Sequence, residues 1–248
     1  LVSVTVEIDA IDPCATAFAS RRADDRWFCW EEPERDGFAI AGIGSAHEIV
    51  SRGSGRAEDL RRDAASIMRT RLADEPADLP QGAGPLWVGG MAFAPDARGT
   101  GPWASLPPAL LVLPEVLIAR VGERHLMTAC AFAGPGEDAE AVRARLDARV
   151  ASIRGAPLPG LDPSPLERAE VASARPPAHY EGAVAEAVRR IRAGDVEKLV
   201  LAREVRVTAG AAHSPGALFG ALREAFGSCF VFCVGTPEAA FIGASPEL

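Results

Sequence analysis

Two residues, Lys198 and Glu247, have the types and settings that acid–base chemistry would use. Lys198 is the only lysine among 26 basic residues. It opens the apolar run Leu199, Val200, Leu201, Ala202. Glu247 follows an apolar hairpin and Ser245-Pro246. A free lysine ionises near pH ~10.4 and a free glutamate near ~4.3. To work as base and acid near neutral pH, the amine must move down and the carboxyl up. Apolar surroundings shift both in those directions by penalising charge. Each residue also has a plain structural reading. A lysine at a strand edge is usually a solvated gatekeeper, and a glutamate after a hairpin is usually a turn residue. Arg203 reads either as an ion-pair partner or as part of an electropositive pocket.

Other motifs fail on spacing. Gly42-Ile43-Gly44 is followed by His47 where a dinucleotide fingerprint needs a third glycine, so it reads as a turn. No Walker A sequence is present. His47, His125, His179 and His213 lack metal-ligand spacing. Ser245 in Gly243-Ala244-Ser245-Pro246 is not a nucleophile elbow, because Pro246 forbids the strand-to-helix turn.

The elements that must carry these residues follow from periodicity. Val2, Val4, Val6 and Ile8 alternate as a half-buried strand. Trp27 to Trp30 and Phe38 to Ile43 predict a hairpin around the polar stretch 31–37. The helical spacing of Leu60, Ala64 and Ile67 predicts an amphipathic helix over 57–72. Leu86 to Phe93 reads as a strand, and 94–108 as a Gly/Pro-rich loop holding Trp103. Leu110 to Arg120 and His125 to Phe132 predict an antiparallel pair, followed by a charged helix over 138–153. The segment 155–177 holds six prolines and reads as a linker, with no helix or central strand. Tyr180, Val184, Val188 and Ile191 mark a helix ending at Gly194. Lys198 to Val207 reads as a strand, which would send Lys198 and Arg203 to opposite faces. Ser214-Pro215 predicts a helix start, with the helix running to about Phe226. Cys229 to Val234 and Ala239 to Gly243 predict a last hairpin. Hairpins mixed with helices, without regular alternation, give an α+β class. The division is an N-terminal α+β lobe over 1–154, the linker over 155–177, and a second region over 178–248.

Two runs in the last region resemble the chorismate-binding enzyme family. Glu197-Lys198-Leu199-Val200-Leu201-Ala202-Arg203 is similar to that family's K-[VL]-V-L-[AS]-R run. Phe241-Ile242-Gly243-Ala244-Ser245-Pro246-Glu247-Leu248 is similar to its G-A-S-P-E-L-L motif, at the family's separation. Val88-Gly89-Gly90-Met91-Ala92-Phe93, a Trp-containing loop and Leu113-Pro114-Glu115 extend the resemblance along the chain. It implies a fold of antiparallel sheets packed together with helices outside, incomplete at the C-terminus. It implies Lys198 as general base and Glu247 as general acid, with Gly243, Ala244 and Ser245 near the substrate. Lysine at that position marks the members that add water, so the implied reaction is isochorismate formation from chorismate. Water attacks C2 while the C4 hydroxyl leaves. The alternatives are a salicylate synthase, an anthranilate-type enzyme, or an inactive truncated relative acting as a binding module. The family's Mg²⁺ and most carboxylate-gripping residues are expected beyond Leu248. The 248-residue chain is therefore expected to be a fragment, inactive alone.

Bulk properties narrow the partners. The net charge of −8 argues against nucleic acid, which needs a basic stripe. No apolar run reaches membrane-spanning length. Five scattered cysteines without C-x-x-C spacing predict a reduced, cytoplasmic protein, and Cys229 and Cys233, four apart in an apolar run, read as core thiols. Oligomeric state is left open, as is the downstream use of the product in menaquinone, siderophore or salicylate biosynthesis.

Overall fold

The computed structural model describes residues 1–162, 164 and 169–246. The chain forms two compact units, one of Leu1–Gly160 with Pro215–Leu248 and one of Leu161–Ser214. This differs from the expected division. Residues after 214 return to the first unit and extend its sheet.

The first unit is built on an eight-stranded sheet. Its strands are β1 (Val2–Glu7), β2 (Trp27–Glu32), β3 (Phe38–Ile43), β5 (Leu72–Asp74), β8 (Val116–Val121), β9 (Arg124–Ala131), β12 (Phe230–Gly235) and β13 (Ala240–Ser245). Their order is β13-β12-β2-β3-β8-β9-β1-β5. All neighbours are antiparallel except β1 and β5. A three-stranded sheet, β4 (His47–Val50), β7 (Ala109–Leu113) and β6 (Val88–Met91), runs in the order β4-β7-β6.

Alternation divides the large sheet's side chains between two faces. Trp27, Cys29, Ala41, Ile43, Val116, Ile118, Val231 and Cys233 make one buried cluster. Helices α1 (Pro13–Ser20) and α5 (Pro215–Ala225) contribute Cys14, Ala17 and Phe219 to it. Helix α3 (Ala139–Ala151) packs Val142 and Leu146 against Val4 and Ala129. Phe28, Phe38, Ile40, Leu117 and Ala119 form a second cluster with Val88 of the small sheet. Helix α2 (Arg56–Arg69) packs Leu60 and Ala64 on Ile49 and Ala109 of that sheet. The expected α+β arrangement of antiparallel sheets with helices outside is therefore observed. All five cysteines are free and buried, Cys229 and Cys233 as expected and Cys14, Cys29 and Cys130 besides.

Several boundaries moved, each for a local reason. The expected strand over 110–120 breaks at Pro114, which has no N–H to donate to a ladder. Its halves, β7 and β8, enter different sheets. Helix α2 stops at Arg69, and Leu72 starts β5 instead. Helix α1 was not anticipated, because its eight residues, mostly small with a single Phe18, carry no clear period. The Asp12 side chain caps it by accepting from Ala15 N at 2.9 Å.

The second unit holds β10 (Glu170–Ser173), α4 (Pro177–Arg192) and β11 (Val205–Thr208), with β10 and β11 antiparallel. The strand β10 falls inside the segment read as linker, and it survives as one arm of a two-stranded ribbon. Helix α4 ends as expected, with Gly194 in the left-handed region at φ +79°, a conformation glycine takes without a Cβ penalty. The strand expected over 198–207 is shortened to β11. Residues 198–204 make no strand ladder among the described residues, and an extended run becomes a strand only where a neighbour takes up its backbone bonds.

Candidate functional site

Between the two sheets of the first unit lies a cleft of about 770 Å³. Phe28 and Trp30 of β2, Phe232 of β12, Phe241 of β13, Met91 of β6 and Trp103 all line it. Trp103 sits in a 3-10 turn, Gly101–Trp103, within the loop expected there. Among the described residues its lining includes no Asp, Glu, His or Lys. Arg26 also lines the cleft, but it is held by Glu48 at 2.8 Å and donates to the Ser105 carbonyl at 3.2 Å. Arg98, Thr100 and the Cys29 and Cys233 thiols line it too, so the cleft is mainly apolar with a few polar groups.

Gly243, Ala244 and Ser245 lie at the end of β13, the sheet's edge strand. They pair with Phe232, Val231 and Phe230. Ala244 packs toward the helix-covered cluster, while Gly243 lies under the Phe232 ring. A Cβ on Gly243 would come within 2.5 Å of that ring. Glycine is therefore needed for close approach, whatever its part in substrate contact. Gly243→Ala is expected to cost about 1–3 kcal/mol as the ring is pushed off its site. Urea denaturation would measure this, with an unshifted midpoint contradicting it. Glu247, the expected general acid, lies outside the described residues.

Lys198 belongs to the second unit. Its side chain is exposed, as are those of its neighbours Leu199 and Val200, the latter at 79%. The described residues thus do not supply the apolar enclosure that would favour a neutral amine. Because 198–204 forms no ladder, strand alternation does not set the directions of Lys198 and Arg203. Arg203 donates from Nη2 to Ser173 Oγ at 2.9 Å. That bond ties it to β10 and favours its structural reading.

A charged network in the first unit was not foreseen. Arg223 of α5 donates to Asp12 at 2.6 Å and to Glu31 at 2.5 Å. Glu31 is only 5% exposed. Burial holds its carboxyl above the usual range, with Arg223 opposing and Asp12 adding to the rise. Asp12 is also raised by burial, but Arg223 and the Ala15 amide outweigh this and leave its carboxyl below the usual range. Asp12, Cys14 and Glu31 are close enough to share a cation. They do not suit Mg²⁺, which takes six oxygens in near-octahedral order. Here one donor is a thiol, and a guanidinium already occupies both carboxylates. Glu31, read as the start of the turn over 31–37, instead lies within β2, and its polar sequence neighbourhood carried no sign of burial.

The family model described as chorismate binding enzyme matches residues 1–248, and the chain belongs to that family. Among curated proteins it is 29% identical over 248 residues to a salicylate biosynthesis isochorismate synthase of Pseudomonas aeruginosa, covering 100% of this chain and 50% of that protein. It is 23% identical over 252 residues to isochorismate synthase MenF of Bacillus subtilis, covering 100% of this chain and 53% of that protein. Among solved structures, the menaquinone-specific isochorismate synthase MenF of Escherichia coli matches 99% of this chain and 50% of its own, with TM-score 0.66 and 20% identity. That likeness establishes the fold. The chain spans about half the length of the curated relatives it matches. No helix among the described residues is long and apolar enough to cross a membrane.

Proposed function

We propose that this chain is part of an isochorismate synthase, converting chorismate to isochorismate. The observation that carries the reading is the pairing of Lys198-Leu199-Val200-Leu201-Ala202-Arg203 with Gly243-Ala244-Ser245-Pro246-Glu247, in a chain that matches the family throughout. Two relatives named as isochorismate synthases support it. Lysine at the head of the first run favours water as the nucleophile over ammonia.

In the proposed mechanism, the Lys198 amine takes a proton from water as its oxygen bonds to C2 of the ring. The diene electrons shift, and the C4–oxygen bond breaks. Glu247 protonates the departing hydroxyl, which leaves as water. One water is consumed and one is released, so substrate and product are isomers. Lys198 ends protonated and Glu247 ionised, and solvent resets both. Removing hydroxide unprotonated would be prohibitive, which is why a neutral carboxyl is required opposite the base. Gly243, Ala244 and Ser245 would lie against the substrate. Mg²⁺ belongs to the proposal as the cofactor the family resemblance implies, since the described residues offer it no set of oxygen ligands.

Product analysis of the native protein with chorismate and Mg²⁺ tests this. Isochorismate without pyruvate is the expected result. Salicylate with pyruvate would replace it with the salicylate synthase reading, and no turnover would favour an inactive relative.

A further inference from the structure

Strand β13 is held on one edge only. Its ladder runs to β12, and no strand pairs with its other edge among the described residues. Such a strand has backbone pairing on one side only, so contacts on its faces add to its restraint. Beneath it, Ile242 and Ala244 pack on the cluster that contains Phe219 of α5. Above it the cover comes from residues 92–108, a strap that leaves the end of β6 and returns to the start of β7. Ala92 N donates to the Pro108 carbonyl at 2.8 Å and closes its base.

Two contacts join the strap to the hairpin. Trp103 meets Phe241 edge-on, with centroids 5.4 Å apart at 63°. Ser105 Oγ and Thr236 Oγ1, in the β12–β13 turn, share a hydrogen bond of 2.8 Å. The Thr236 hydroxyl also accepts from Ala239 N at 3.1 Å. From Phe241 the ring contacts continue across the sheet to Phe232 at 5.4 Å and then Trp30 at 6.1 Å. Phe232 in turn covers Gly243. The strap has the backbone for a tight clasp. A Cβ on Gly99 would fall 2.2 Å from the Trp103 carbonyl oxygen, and Gly101 sits at φ +56°.

We propose that Trp103 and Ser105 are positioning residues, clamping β13 so that Gly243, Ala244 and Ser245 at its end are held in one place. For its catalytic consequence this rests on the functional reading above. Its mechanical content does not. Trp103 is 50% exposed and Phe241 45%, so their contact is a surface clasp that can be removed without opening the core.

Hydrogen exchange on the native protein tests the clamp. Trp103→Ala is expected to speed exchange of the β12–β13 ladder amides about 3- to 10-fold, from the size of one aromatic pair. The β8–β9 ladder should be unchanged, and Trp103→Phe should restore the protection. An unchanged β12–β13 ladder would overturn the proposal, as would a uniform loss across both ladders. In the native enzyme, Trp103→Ala should lower kcat and Trp103→Phe should restore it. A local gain in exchange with kcat intact would overturn the positioning role. If the wild-type protein forms no isochorismate, the functional reading fails and the positioning of substrate-contacting residues fails with it, while the exchange data decide the clamp independently.

Discussion

Lys198→Ala is expected to lower isochorismate formation by the native protein about 100- to 10,000-fold, the usual range for losing a general base. The fold should not suffer. Lys198 is exposed and lies outside any strand ladder, and substitutions at such positions usually change stability by less than about 0.5 kcal/mol. Turnover and thermal melting measured on the same preparation separate the two effects. A variant with near-normal turnover would remove Lys198 from the role of base. A variant that lost activity because it had unfolded would leave the chemistry undecided, but its melting curve would betray that at once.

Arg223→Met is expected to have the largest effect on stability. The substitution keeps a long apolar stem but leaves Asp12 and Glu31 facing each other without a cation. Breaking a buried ion pair from one side costs about 3–5 kcal/mol. The lower end fits here, because Arg223 is 27% exposed and water can reach part of the site. The effect should depend on pH in a stated direction. Without the guanidinium, burial and mutual repulsion act on both carboxyls with little to oppose them, so both folded pKa values rise. A carboxyl raised above its unfolded value imposes its cost at pH above the folded pKa, and the cost is relieved as pH falls through it. The gap between wild type and Arg223→Met should therefore be smaller at pH 5 than at pH 7 in urea denaturation. An equal gap at both would mean that the two carboxylates are not the source of the loss.

Much of the first unit was legible because its signals are local. The β2–β3 and β8–β9 hairpins each pair two largely apolar runs across a short turn. Those turns use Gly37 at φ +65° and Gly122 at φ +59°, as turn chemistry predicts. The last hairpin and α5 were visible in the same way, α5 through Ser214-Pro215. Helix α1 carries an equivalent signature in Asp12-Pro13, a capping residue followed by proline at the first helical position, and that signature was available to be read. The strand over 198–207 was misjudged for a different reason. Its apolar, β-branched composition is real, but a ladder needs a neighbour, and composition does not say whether one is present. Long-range pairing was hidden as well. Glu31 read as a turn residue, and its partner Arg223 lies 192 residues away, with nothing local to single it out among the other arginines. The candidate site shows the same limit. Its motifs were legible as types and spacing, whereas the aromatic clasp from Trp103 to Trp30 depends on which strands become neighbours.

The central claim is that water supplies the new hydroxyl, and incubation of the native protein with chorismate in ¹⁸O-water tests it most directly. Mass spectrometry should find isochorismate carrying one ¹⁸O atom, placed at C2. Isochorismate without label would mean that the C4 hydroxyl migrates within the molecule, and would contradict the roles proposed for Lys198 and Glu247.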